Sequence, residues 1–187
     1  MTTVTIYRAE NLGQPLAIER VTQDVAEIQR LMGDIGITFE RWNADKVLAP
    51  GATQEDILAA YRSDIDRLMT SGGYQSADVV RMHPDHPERE AFRGKFIEEH
   101  IHEDDEVRFF VEGSGAFYIR DGDKDRAFRV VTSPGDLMLV PKMTRHWFDM
   151  GPRPHFAAIR LFVTPAGWVA KFTGDDIARR TPLFEAA

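Results

Sequence analysis

The chain has no cysteine among its 187 residues. Disulfides and thiolate metal sites are therefore excluded, and any metal ion must be held by imidazole nitrogen and carboxylate oxygen. Basic residues are scarce relative to acidic ones: 23 Lys and Arg against 30 Asp and Glu, a net charge of -7. That balance gives no electrostatic reason to approach a phosphate backbone or an anionic membrane, so neither nucleic acid nor membrane is an expected partner. No apolar run approaches a membrane-spanning length, and the opening "MTTVTIYRAENLGQ" lacks the basic patch and long apolar stretch of a secretory signal. The expectation is a cytoplasmic protein. Repeats, low-complexity tracts and linker-like segments are missing too, and the length suits one domain with a real core.

The composition that is present, 43% apolar and 28% charged, is ordinary globular usage. Residues 1–77 read as a strand followed by helices. "TVTIYR" (3–8) alternates in the β manner, and "VTQDVAEIQRLMGDIGI" places Val21, Val25, Ile28, Leu31, Met32 and Ile35 at helical spacing, with Thr22 as the expected N-cap. A second helix is expected after Thr53, which forms a capping-box pattern with Asp56. It carries a stripe of Leu58, Tyr61, Ile65 and Leu68 and ends at Gly72-Gly73. From 78 to 187 the texture is β: "DVVRM", "EVRFFVEG", "GAFYIR", "AFRVV", "DLMLVP", "HWFDMG" and "FAAIRLF" follow one another across legible turns, with one short helix near "PEREAFRGKF". Strands so closely spaced predict an antiparallel sandwich or barrel within a single domain over 1–187, with the helices outside.

The chemistry concentrates in "EEHIHEDDEVRFFVEG", residues 98–113. Strand parity puts His100, His102, Glu106, Arg108 and Phe110 on one face and Val107, Phe109 and Val111 on the other, unless "EDD" bulges and shifts the register. Two imidazoles and a carboxylate supply three metal ligands, and a fourth must come from His83, His86, His146 or His155. His83 and His86 lie in a proline-rich turn and His155 at a strand edge. His146, in "TRHWFDMG", stands where a returning strand would meet the first segment. Paired histidines alone are common on protein surfaces, so the spacing has to carry the case. Gly94 precedes His100 by six, Glu106 follows His102 by four and Gly113 follows Glu106 by seven; Gly135 precedes Pro141 by six and His146 follows Pro141 by five.

That double pattern resembles the two motifs of the cupin superfamily. The second motif departs in having Met143 where cupins usually have glycine and Met150 where they usually have asparagine. Over residues from about 80 to 180, the stretches "HPDHPERE", "EEHIHEDDEVRFFVEGSGAFYIR", "TRHWFDMG" and "RLFVTPAGWVAKFTGDDIARR" are similar to the acireductone dioxygenase family.

The resemblance implies a mainly β fold, a cupin-type double-stranded β-helix (jelly-roll) barrel, with N-terminal helices packed outside. It also implies one divalent ion per chain, Fe(II) or Ni(II), held by His100, His102, Glu106 and His146, with no organic cofactor. The implied partners are dioxygen and the acireductone 1,2-dihydroxy-5-(methylthio)pent-1-en-3-one, met in methionine salvage by a monomer. Iron implies 4-methylthio-2-oxobutanoate and formate as products; nickel implies 3-(methylthio)propionate, formate and carbon monoxide. The family assigns positions such as Glu99 and Asp105, which flank the ligands, to metal incorporation and to relaying the state of the site; read from the sequence alone, they are equally well solvated acids. Acids so placed can also orient ligating histidines.

A substrate bound as a dianion needs a cation nearby, and Arg108, in step with Glu106, is the candidate, the alternative being a salt bridge from Arg108 to a neighbouring acid. Phe96, Phe110, Phe117 and Phe148 are candidates for the apolar wall around the thioether tail, and Arg160 and Trp168 for closing the pocket. The rival readings are another metal cupin, such as a sugar isomerase or a different dioxygenase, which needs no Arg108, and a non-catalytic small-molecule-binding cupin, which need not keep all four ligands.

Overall fold

A computed structural model describes residues 1–11, 13–122, 124–164 and 169–185. In chain order the first half holds β1 (Thr3–Arg8), β2 (Ala17–Thr22), α1 (Val25–Gly33), β3 (Thr38–Arg41), α2 (Gln54–Ala60) and α3 (Arg62–Gly72). The second half holds β4 (Ser76–Met82), α4 (Arg89–Phe96), β5 (His100–Ile101), β6 (Glu106–Ser114), β7 (Ala116–Arg120), β8 (Arg126–Val131), β9 (Asp136–Val140), β10 (His146–Asp149), β11 (His155–Phe162), β12 (Lys171–Phe172) and α5 (Ile177–Arg180). The β-runs read from the sequence all form strands, and α4 occupies the expected short helix.

The strands pair antiparallel in two sheets, ordered β12-β5-β10-β7-β8-β1-β2 and β3-β9-β6-β11-β4. Their facing sides enclose one cluster: Ile6, Phe117, Phe128 and Phe148 from the first sheet meet Phe39, Phe110, Met138 and Phe156 from the second. Burial of this apolar surface holds the sheets together, since side chains alternate along each strand and every second residue points inward. The outer face of the second sheet carries Val107, Phe109 and Val111, covered by Ile57, Tyr61, Ile65 and Leu68 of the α2–α3 region. Tyr118 and Trp147, stacked with ring centroids 5.0 Å apart on the outer face of the first sheet, are covered by Ile177, Ala178 and Phe184. The covering helices therefore lie outside the sheets, as expected. Helix α1 differs, because its Ile28, Leu31 and Met32 join the inner cluster.

Two details of the first half depart from expectation. Thr22 does not cap α1: it ends β2, paired with Val4, and the helix starts three residues later with Asp24 accepting from the Glu27 N–H at 2.7 Å. Pairing with β1 extends the backbone through Val21, which is 55% exposed and takes no part in a helical stripe. The second helix breaks at Tyr61, whose φ of -110° and ψ of 22° leave the helical region, while its ring meets Phe109 edge-on at 5.4 Å. The Thr53–Asp56 capping box is present, and Gly73 closes α3 in the left-handed conformation.

The motif glycines divide sharply. Gly113 has a φ of 61°, and a Cβ there would lie 1.8 Å from the His155 carbonyl oxygen, so close strand approach demands glycine. A Cβ on Gly94 would meet nothing within 4 Å, so neither packing nor a positive φ requires glycine there.

Met143 is the non-glycine residue with positive φ among the described residues, at 65°, and its side chain is 57% exposed. It stands in the β9–β10 turn where its N–H donates to the His102 carbonyl at 2.8 Å. Left-handed backbone costs a residue with a Cβ about 1–2 kcal/mol, and an exposed side chain returns little packing. Met143→Gly is therefore expected to stabilise the fold by about 1 kcal/mol, measured as a higher urea midpoint with an unchanged m-value. An equal or lower midpoint would show that relief of the left-handed backbone does not exceed the entropy that glycine adds to the unfolded chain.

Candidate metal centre

The expected continuous strand from His100 to Phe110 is interrupted. His100 lies in β5 of the first sheet, residues 102–105 leave strand geometry, and Glu106 opens β6 in the second sheet. The parity nevertheless holds for Glu106, Arg108 and Phe110, because both sheets turn their inner faces toward the same interior. His146 pairs directly with His100 across β10 and β5, which joins the two motifs through one cross-strand register.

His100, His102 and His146 are buried, and one nitrogen from each lies within 4.8 Å of the others. Each ring directs Nδ1 at a backbone carbonyl: His100 to Glu98 at 2.7 Å, His146 to Thr144 at 2.8 Å and His102 to Val169 at 3.3 Å. A carbonyl can only accept, so Nδ1 is the protonated nitrogen and the Nε2 lone pair is left for a ligand. Glu106, outside that group of three, faces it from the opposite sheet, its Oε2 at 2.9 Å from His146 Nε2 and 3.5 Å from His102 Nε2. His146 Nε2 and Glu106 Oε2 are both buried without a hydrogen-bond partner. Two electron pairs facing each other across 2.9 Å in a dry interior are what a cation between them would satisfy. The donor set fits a divalent transition metal, with nitrogen and oxygen but no sulfur.

The electrostatics agree. Burial, with His146 nearby adding to it, pushes the His100 imidazole down to about 4, and burial lowers His102 as well. Both are thereby kept neutral and able to ligate. Burial pushes the Glu106 carboxyl up, but the guanidinium of Arg108, foremost among the groups that oppose burial, holds it well below the usual carboxylate range.

Arg108 donates from Nε to Glu106 Oε1, and its guanidinium lies 5.5 Å from the centroids of both Phe117 and Phe148. Burial lowers Arg108, with Glu106 opposing; an arginine remains charged under such a shift. Phe117 also stacks on the His146 ring, centroids 5.3 Å apart and 13° from parallel. Phe110, Phe117 and Phe148 belong to the inner cluster and Phe96 packs against it from α4.

Other candidates lie elsewhere. Glu99 is buried but turns away from the histidine nitrogens, accepting from Thr173 at 2.6 Å and facing Arg120. Asp105 accepts from the Lys142 N–H at 2.9 Å and so ties the loop between β5 and β6 to the β9–β10 turn. Arg160 sits opposite Arg108 on β11 and pairs with Asp78 at 2.5 and 2.8 Å. Trp168 lies outside the described residues. His83 and His155 face one another at 5.8 Å and His86 packs on Phe92; none of the three joins the triad. The three carbonyls that orient the histidines gave no sequence signal, since every residue carries one.

A model of the ARD/ARD′ family matches residues 3–170. The chain belongs to that family. It is 53% identical over 187 residues to the acireductone dioxygenase of Parvibaculum lavamentivorans, covering 100% of this chain and 98% of that one. The acireductone dioxygenase of a Synechococcus species is 50% identical over 183 residues, 98% of this chain and 99% of its own. A solved acireductone dioxygenase from Bacillus anthracis, with a cadmium ion in its active centre, superposes with a TM-score of 0.75 at 30% identity, covering 90% of this chain and 98% of that one. This ARD/ARD′ chain thus has the cupin fold and is a metal-dependent dioxygenase.

The unfolded chain takes up a proton at His100 as pH falls through about 6.5, whereas the folded one resists until about 4. Stability tied to this group is complete above the upper value and lost as pH falls through the window, because the unfolded state then binds more protons. The metal-free protein is expected to lose more stability between about pH 7.5 and pH 5 than its His100→Gln variant, read from urea midpoints. Equal losses would show that His100 titrates normally in the fold.

Proposed function

We propose that this chain is an acireductone dioxygenase acting on 1,2-dihydroxy-5-(methylthio)pent-1-en-3-one and dioxygen, with iron or nickel in the site and in the service of methionine salvage. The observation that carries the reading is the buried cluster of three imidazoles, two of which, His146 and His102, face the Glu106 carboxylate with Nε2, and the arginine bound to that same carboxylate. His100, His102, His146 and Glu106 would hold the ion. A divalent ion so held supplies Lewis acidity and a template for a chelating enediol. Iron yields 4-methylthio-2-oxobutanoate and formate; nickel yields 3-(methylthio)propionate, formate and carbon monoxide. The absence of cysteine agrees with a cytoplasmic protein and the acidic balance with small-molecule partners, while a monomer is what the family resemblance implies.

Two roles fall to Arg108. Its Nε fixes the Glu106 carboxylate, and its charge stands within the interior that Phe117 and Phe148 line, where a dianionic substrate is favoured by a permanent cation. Those aromatic rings exclude water and leave an apolar surface for the thioether end. Arg160, held by Asp78, sets the charge next to Arg108 across the strand pair and closes the same face. A sugar isomerase would have no use for a buried arginine bound to the ligand carboxylate, so the arrangement favours the dioxygenase reading.

Metal-free protein reloaded separately with Fe(II) and Ni(II), then given acireductone and oxygen, is expected to form the two product sets above, with His102→Ala at background. Oxygen uptake no faster than this control would overturn the assignment. Arg108→Ala is expected to lower turnover by about 10²- to 10³-fold, while metal content at saturation stays close to that of the parent protein. Loss of metal with intact turnover per bound ion would mean that Arg108 serves only Glu106.

A further inference from the structure

We propose that Arg120 is a positioning residue for the metal centre: one guanidinium and one backbone N–H bind together the three chain segments that aim the three histidines. The proposal rests on reading the triad as a metal site.

Arg120 ends β7 and is buried despite its charge, with 7% of its side chain exposed. Along the strand it shares the parity of Tyr118, on the outer side of the first sheet, while Ile119 points to the inner cluster. It therefore stands outside the space between the sheets and acts through other groups. Its N–H donates to the Arg145 carbonyl at 2.9 Å, which fixes the residue before His146. Its Nη1 lies 3.4 and 3.5 Å from the two oxygens of Glu99, the residue before His100. The same Nη1 donates to Asp175 at 2.7 Å.

Asp175 belongs to the segment that also supplies the third histidine's partner. Thr173 donates its hydroxyl to Glu99 Oε1 at 2.6 Å and its N–H to the Glu99 carbonyl at 3.1 Å. Phe172 and Lys171 pair with His100 and Ile101. Two residues before Lys171, Val169 offers its carbonyl to His102 Nδ1. All three imidazoles are thus tied to Arg120: His100 through Glu99, His146 through Arg145 and His102 through the 169–175 segment.

The energetics make this more than a surface ion pair. The Glu99 side chain is fully buried, and without Arg120 its charge keeps the Thr173 hydroxyl but loses its cation. Removing one partner of a buried pair leaves an uncompensated charge, and the chain relaxes to rehydrate it. Rehydrating Glu99 means moving β5 or lifting the 171–175 segment, and either displaces an imidazole by its backbone. Displacements of a fraction of an ångström suffice to weaken a metal site.

The test is titration of metal-free protein with Co(II), following the d–d absorption, alongside thermal unfolding of the metal-free forms. Arg120→Gln is expected to weaken Co(II) binding by about 10- to 100-fold and to change the band shape, with Arg120→Lys falling between it and the parent protein. Arg126→Gln, which removes an arginine from the neighbouring β8 and its pairs with Glu19 and Asp121, is expected to bind as the parent does. Unchanged affinity and band shape in Arg120→Gln would overturn the proposal. Should that variant fail to fold, Asp175→Asn decides: weaker binding with an altered band supports the positioning role, and parental binding removes it. If the parent protein binds Co(II) no better than His102→Ala, the metal-site reading falls and the proposal with it.

Discussion

Three hydrogen bonds from imidazole Nδ1 to backbone carbonyls govern what this molecule can do. Each commits one ring nitrogen as a donor and leaves the other as a lone pair, and all three lone pairs point into one buried volume. Without those bonds the rings could turn or change tautomer, and the interior would hold ordinary satisfied histidines. With them, Glu106 faces nitrogen electron pairs rather than N–H donors. The surrounding structure serves to maintain that opposition: the sheets bring Glu106 across from the histidines, and Arg108 opposes the burial that pushes the carboxyl up.

The two sheets divide the labour. Two of the imidazoles come from adjacent paired strands of the first sheet, so their separation is fixed by strand spacing, while Glu106 and Arg108 come from the second. The chain crosses from one sheet to the other in the four residues 102–105, within which His102 stands. A site built across two sheets depends on the distance between them, and the inner aromatic cluster sets that distance. Packing energy is thus linked to site geometry, because residues such as Phe117 belong to both the core and the His146 surroundings.

How much of this was legible beforehand depended on the range of the interaction involved. The β-runs of the second half stood out because alternation is a local signal, and the Thr53 capping box because its two partners stand three positions apart. Thr22 misled for the same reason: its neighbourhood reads as a helix start, yet pairing with the distant β1 takes it into a strand. Met143 stands where the cupin pattern has glycine, and the positive φ there shows why glycine is usual. Glu99 and Asp105 looked equivalent as acids beside ligands, but one is buried against Arg120 and the other fastens a turn.

The sequence by itself determined the ligand types, their spacing and the parity that sends Glu106, Arg108 and Phe110 the same way. These follow from side-chain chemistry and from the two-residue period of a strand, both of which are written residue by residue. Only the tertiary structure decided that Glu106 approaches from a second sheet, that backbone carbonyls choose the imidazole tautomers, and that Arg120 gathers three separate segments behind the site. A carbonyl looks the same in every residue, and an ion pair between positions 99, 120 and 175 has no local pattern. Such contacts exist only once the hydrophobic core has brought distant parts of the chain together.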